Sequence, residues 1–202
     1  MFSVTALTCQ LHDVALFSAL YFTLQPGECL QITGHNGCGK TTLLRTLAGL
    51  REPDSGEICW QRQSIHTLAQ YYAQQRLYLG HKPGLRPELT AIENLLLLQT
   101  LSTRAHTHPN PMLTLSALGL EKQAQLPTHL LSVGQQKRLR FTQLLQSPAP
   151  FWILDEPFAG LDQPGIHWLQ EKIQNHLQQA GVVIFTSHQK IDFSTRTLAL
   201  SL

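Results

Sequence analysis

The segment GHNGCGKT, residues 34–41, constrains this chain more than any other. It matches G-x4-G-K-[ST], with the apolar run CLQITG (29–34) before it and Leu43, Leu44, Leu47 and Leu50 at helical spacing after it. The order strand, glycine-rich turn, helix builds an anion cradle. Glycines let the backbone turn tightly and aim its amides inward, and the helix N-terminus adds its partial positive charge. The expected phosphate site is therefore Gly34, His35, Asn36, Gly37, Cys38, Gly39, Lys40, Thr41 and Thr42. The Lys40 ammonium is expected to reach the β- and γ-phosphates of a nucleotide, and the Thr41 hydroxyl to ligate Mg²⁺. The Cys38 thiol is expected close to the nucleotide, so that its alkylation would block binding.

A second carboxylate-bearing element completes such a site. FWILDEP (151–157) reads as a buried strand ending in Asp155 and Glu156. Asp155 is expected to hold the Mg²⁺ shell and Glu156 to polarise the attacking water. Ser132, in LSVGQQ (131–136), opens a helix. It is either an ordinary N-cap or part of a further anion site. TSH (186–188) ends the next strand and presents His188 at the sheet edge where open α/β sheets bind ligands.

Strand-like GEICW, RLYLG, FWILD, VVIFTS and TLALSL alternate with helical stretches, including 163–180 and one from about 132 to 147. That alternation predicts a parallel α/β sheet covered on both faces. LTAIENLLLLQTL reads as a helix with a Thr90/Glu93 capping box. Another helical stretch is expected near 112–119, so the middle of the chain, about 85–147, reads as a helical insertion. The length of 202 residues favours one domain.

Composition excludes several classes. A net charge of +2, with no basic stripe, argues against a nucleic-acid partner. The longest aliphatic run, Leu95 to Leu98, is far too short for a membrane span. The N-terminus lacks the basic region of a signal peptide, so the chain is expected to be made and kept in the cytosol. Cys9, Cys29, Cys38 and Cys59 form no CxxC pair and read as reduced thiols, and the HxH of His106 and His108 as a solvated loop.

Taken in order, the phosphate loop, LSVGQQ, the carboxylate strand, AGLD (159–162) and His188 resemble the ATP-binding subunits of ABC transporters. The resemblance covers essentially the whole chain. It implies a P-loop NTPase (RecA-like) core, residues 1–84 and 148–202, with an ABC-type antiparallel β subdomain and an inserted helical subdomain at about 85–147. It also implies ATP and Mg²⁺ as ligands, a second copy of the chain, and integral-membrane transporter subunits as partners, docked near His81 and the following helix. Ser132, Gly134 and Gln135 would contact the γ-phosphate held by the second copy. Glu156 would be the general base, His188 the γ-phosphate sensor, and Asp162 a coupling residue across the dimer.

Two departures from the family pattern stand out. In YLGHKPG (78–84), His81 occupies the place of a glutamine that normally reaches the Mg²⁺ and the water. Upstream, Leu11, with His12 beside it, stands where an aromatic ring normally stacks on adenine. The YLGH segment, the GQQ variant, WILDEPF and TSHQ resemble the cytochrome c biogenesis haem-exporter branch. That implies a peripheral location on the cytoplasmic face of the inner membrane. An ABC ATPase for another cargo, or a soluble one such as an iron–sulfur assembly subunit, remains the alternative.

Overall fold

The computed structural model describes residues 1–11, 14–82, 84–101, 110–187, 193 and 195–200. The chain divides into two compact units. The first comprises Met1–His81, Ala149–Pro157 and Gln170–Leu202, and the second Lys82–Pro148 and Phe158–Leu169.

The first unit holds two sheets. Strands β1 (Phe2–Leu11), β2 (Val14–Leu24), β4 (Ser55–Trp60) and β5 (Gln63–Ser64) pair antiparallel in the order β2-β1-β4-β5. Strands β3 (Cys29–Thr33), β6 (Arg76–Leu79), β7 (Phe151–Leu154), β8 (Val182–Thr186) and β9 (Arg196–Ala199) form a parallel sheet in the order β6-β7-β8-β3-β9. Every residue of β7 and β8 is buried. A strand covered on both faces needs no polar alternation, which is why FWIL and VVIFT are nearly all apolar.

Phe151 joins the two sheets. Its ring stacks on Trp60 at 5.5 Å and lies 4.7 Å from Phe2 and 6.4 Å from Tyr72. Truncating such a core ring to alanine costs on the order of 3–5 kcal/mol. The same cluster fixes the start of β7, whose far end carries the two acidic residues. Helix α1 (Lys40–Leu47) buries Leu43, Leu44 and Leu47, and helix α2 (Ala69–Gln75) is pinned by Tyr72 Oη, which donates to Leu47 O at 2.6 Å.

In the second unit, helix α3 (Ala91–Leu101) starts at the expected capping box. Glu93 Oε2 accepts from Thr90 N at 2.8 Å and from Thr90 Oγ1 at 2.7 Å. Buried Asn94 ties the preceding turn together: its amide donates to Arg86 O and Leu89 O, and its carbonyl accepts from Arg86 N. Helix α4 (Pro111–Ala117) is capped by Asn110. The helix expected from about 132 to 147 is two helices, α5 (Val133–Arg140) and α6 (Thr142–Gln146). At the break, Phe141 N is shared between Lys137 O and Arg138 O, which tightens the turn. The ring of Phe141 stacks on Trp168 at 5.8 Å. Helix α7 (Gln163–Gln178) precedes β8.

Candidate functional site

The GHNGCGKT loop leaves β3 and enters α1 through Gly39, whose φ of 92° suits glycine. Gly34 is required for a different reason. A Cβ there would lie 2.5 Å from Cys38 Sγ and 2.7 Å from Leu200 O. That packing corrects one expectation. Cys38 is wholly buried in the core with its thiol beneath Gly34, so the thiol does not face the loop's open side.

Above the loop is a cavity of about 210 Å³ lined by Asn36, Gly37, Gly39, Lys40, Thr41, Thr42 and Glu156. Lys40 Nζ folds across the loop and donates to Gly34 O at 2.7 Å and His35 O at 2.9 Å. Thr41 Oγ1 donates to Asp155 Oδ2 at 2.7 Å. Asp155, 3 % exposed, extends β7, and its amide donates to Leu79 O. Its other oxygen, Oδ1, accepts from Thr186 Oγ1 at 2.9 Å. Thr186 Oγ1 in turn accepts from Glu156 N at 2.7 Å. Glu156 adopts a left-handed backbone, φ 47°, an uncommon state for a residue with a side chain.

His81 reaches this group through strand register. Leu79 pairs with Leu154 in the parallel β6–β7 ladder, so the residues two beyond each stand side by side. His81 Nδ1 lies 3.8 Å from Glu156 Oε2. Lys40, Thr41, Asp155, Glu156 and His81 thus converge at one edge of the parallel sheet. His188 and His12 lie outside the described residues, as do His106 and His108. Leu11 ends β1 half-exposed.

The second unit carries the LSVGQQ segment. Ser132 caps α5 in a reciprocal box: Gln135 N donates to Ser132 Oγ at 3.2 Å, and Ser132 N donates to Gln135 Oε1 at 2.9 Å. Gly134 faces the 159–162 turn so closely that a Cβ would lie 2.7 Å from Gly160 O. The same turn is held by Lys137, whose Nζ donates to Ala159 O at 2.7 Å, and by Arg138, 3.7 Å from Asp162 Oδ2. Asp162 also starts α7, because its Oδ1 accepts from Gly165 N. Sequence reading missed Lys137, Arg138 and Thr186. The cap at Asp162 was missed as well, although an aspartate just before a Gln-Pro helix start is a cap signal.

The comparisons with known proteins fit this geometry. A model of the ABC transporter family matches residues 17–159. The chain belongs to the ABC transporter family. It is 42 % identical over 192 residues to the cytochrome c biogenesis ATP-binding export protein CcmA of Escherichia coli O157:H7, covering 95 % of this chain and 91 % of that protein. The CcmA of Shigella flexneri matches with the same identity and coverage. Among solved structures, an ATP-binding subunit of an ABC transporter aligns at 27 % identity with TM-score 0.75, covering 93 % of this chain and 80 % of that one. A dimeric bacterial ABC transporter cassette shares the fold at 20 % identity and TM-score 0.78, covering 94 % of this chain and 88 % of that one. The chain is therefore an ATPase with an ABC-type α/β fold.

Proposed function

We propose that the chain is the ATP-hydrolysing subunit of a membrane transporter that serves cytochrome c biogenesis, with haem as the cargo exported or delivered. The observation that carries this reading is the 42 % identity to cytochrome c biogenesis export proteins across 95 % of the chain. Among the described residues no helix is long and apolar enough to cross a membrane. On the likeness to these export proteins, integral-membrane subunits hold the chain at the cytoplasmic face of the inner membrane and are moved by its ATP cycle.

The chemistry follows from the side chains. The amides from Gly34 to Thr42 and the N-terminus of α1 hold the phosphates, and Lys40 leaves the loop carbonyls for the β- and γ-phosphates. Thr41 Oγ1 and Asp155 Oδ2, 2.7 Å apart, are hard oxygen donors that suit Mg²⁺. When bound, the ion neutralises charge on the β- and γ-phosphates. Glu156 accepts a proton from a water as that oxygen attacks the γ-phosphorus. The bond to the bridging oxygen breaks, leaving ADP and phosphate. His81 orients the same water from beside Glu156, and His188 contacts the γ-phosphate.

The reciprocal cap explains how LSVGQQ serves a second copy of the chain. Ser132 Oγ and Gln135 Oε1 accept inside the cap. The hydroxyl hydrogen and the amide NH₂ remain as outward donors, suited to the γ-phosphate on the partner copy. Gly134 lets that end of α5 pack tightly, and Asp162 couples the two copies.

Glu156→Gln tests the hydrolytic half: it keeps ATP affinity, stops turnover, and accumulates an ATP-bound dimer by size-exclusion chromatography. Turnover at the wild-type rate overturns the assignment of the base. Gentle solubilisation of native membranes, followed by identification of what copurifies, tests the transport half. Haem-handling membrane subunits uphold it, and exclusively soluble partners overturn it.

A further inference from the structure

Thr186 is the residue through which the two acidic groups of the site are joined. It ends β8, is fully buried, and sits beside Asp155 because Leu154 pairs with Phe185 in the parallel β7–β8 ladder. A hydroxyl has one hydrogen and two lone pairs, so it can donate once while accepting. Thr186 Oγ1 uses both capacities: it donates to Asp155 Oδ1 at 2.9 Å and accepts from Glu156 N at 2.7 Å.

We propose that Thr186 is a positioning residue for ATP hydrolysis, acting on Asp155 and Glu156 at once. Its donated bond commits Asp155 Oδ1, which leaves Oδ2 turned to Thr41 Oγ1 across the phosphate loop. The bond it accepts holds the backbone of Glu156 at φ 47°. A left-handed conformation in a residue with a Cβ persists only when its surroundings fix it, and such residues cluster at active sites. With that amide released, Glu156 relaxes to an ordinary backbone and its carboxylate leaves the loop cavity it now lines. Asp155 and Thr186 are both buried, so water cannot replace the lost hydroxyl without rearrangement.

The inference rests on Glu156 as the base. Thr186→Val keeps the shape and removes the hydroxyl, while Thr186→Ser keeps the hydroxyl and removes a methyl. Thr186→Val should lower kcat by about tenfold or more, with the Kd of a non-hydrolysable ATP analogue in EDTA changed by less than about twofold. Thr186→Ser should return kcat to within about threefold of wild type. If Thr186→Val folds poorly, Thr186→Ala against Thr186→Ser reads the same contrast. A hydroxyl-free variant with wild-type kcat overturns the inference. So does an equal loss in Thr186→Ser, or a loss of analogue affinity that matches the loss of kcat. Glu156→Gln, assayed alongside, separates the two levels. If it turns over normally, the parent reading fails. If it arrests and Thr186→Val does not slow, only the role of Thr186 falls.

Discussion

His81 Nδ1 stands 3.8 Å from Glu156 Oε2, with the histidine largely exposed and the glutamate at the cavity wall. The gap exceeds a direct hydrogen bond and matches two groups sharing a water between them. On this geometry the imidazole does what a side-chain amide does at similar reach. His81→Gln should therefore keep kcat within about threefold, whereas His81→Ala should lower it by about tenfold or more. Steady-state ATP hydrolysis checks both. A large loss in His81→Gln shows a role that only the imidazole fills.

The cap at α5 lets stability and catalysis be separated at one residue. Gln135→Glu keeps an acceptor for Ser132 N and adds a negative charge at a helix N-terminus, where charge is favourable. As a cap it should leave stability within about 0.5 kcal/mol, or slightly raise it. It also replaces outward N–H donors with a carboxylate aimed at phosphate. Hydrolysis should then fall by about 100-fold or more. Thermal melts and ATPase assays on one preparation decide the matter. If activity survives, Gln135 is a cap and nothing else.

How much of this was legible beforehand follows from where each signal lives. The phosphate loop, the carboxylate strand and the Thr90/Glu93 box are local patterns, and each forms where the spacing predicts. Strand β1 shows why a pattern can hide. Its buried residues are Phe2 and Val4, then Leu7 and Cys9, so the alternation changes parity. The cause is the irregularity around Ala6, φ 51°, which shifts the register and defeats a period-two reading. Thr186 was invisible for another reason. In VVIFTS it is an ordinary end to a strand, and its partners lie 30 and 31 positions away. Cys38 was misplaced because a motif gives the order of residues and not which way a side chain turns.

The cysteines make that last point measurable. Cys9, Cys29 and Cys38 are buried, and burial pushes the Cys29 thiol up to about 12. Cys59 is partly exposed, and burial, together with the charge and hydrogen bond of Glu57, raises its pKa as well. A thiol-disulfide reagent should therefore titrate one slow cysteine in the native protein and four after denaturation. Saturating ATP should leave the native count and rate unchanged. Rapid modification of Cys38, slowed by ATP, would return its thiol to the nucleotide's side.

His176 sets a pH limit on the fold. Its ring stacks on Trp152 at 3.8 Å between centroids and 8° between planes, and Nε2 donates to Pro150 O. Burial lowers its pKa from 6.5 to about 4, with the bond to Pro150 opposing the shift. Between those values the unfolded chain binds the proton and the folded chain does not. Stability from the neutral ring is thus complete above about pH 6.5, declines as pH falls, and is gone near pH 4. The shift sets an upper bound of about 3 kcal/mol, and solvent screening of a half-buried ring brings it to roughly 1–2 kcal/mol. His176→Gln keeps a donor for Pro150 O and does not titrate. It should be less stable at neutral pH through loss of the stack, by about 1 kcal/mol, yet show a flatter decline in urea midpoints from pH 6.5 to 4. Equal slopes for the two proteins would mean that other groups govern acid unfolding.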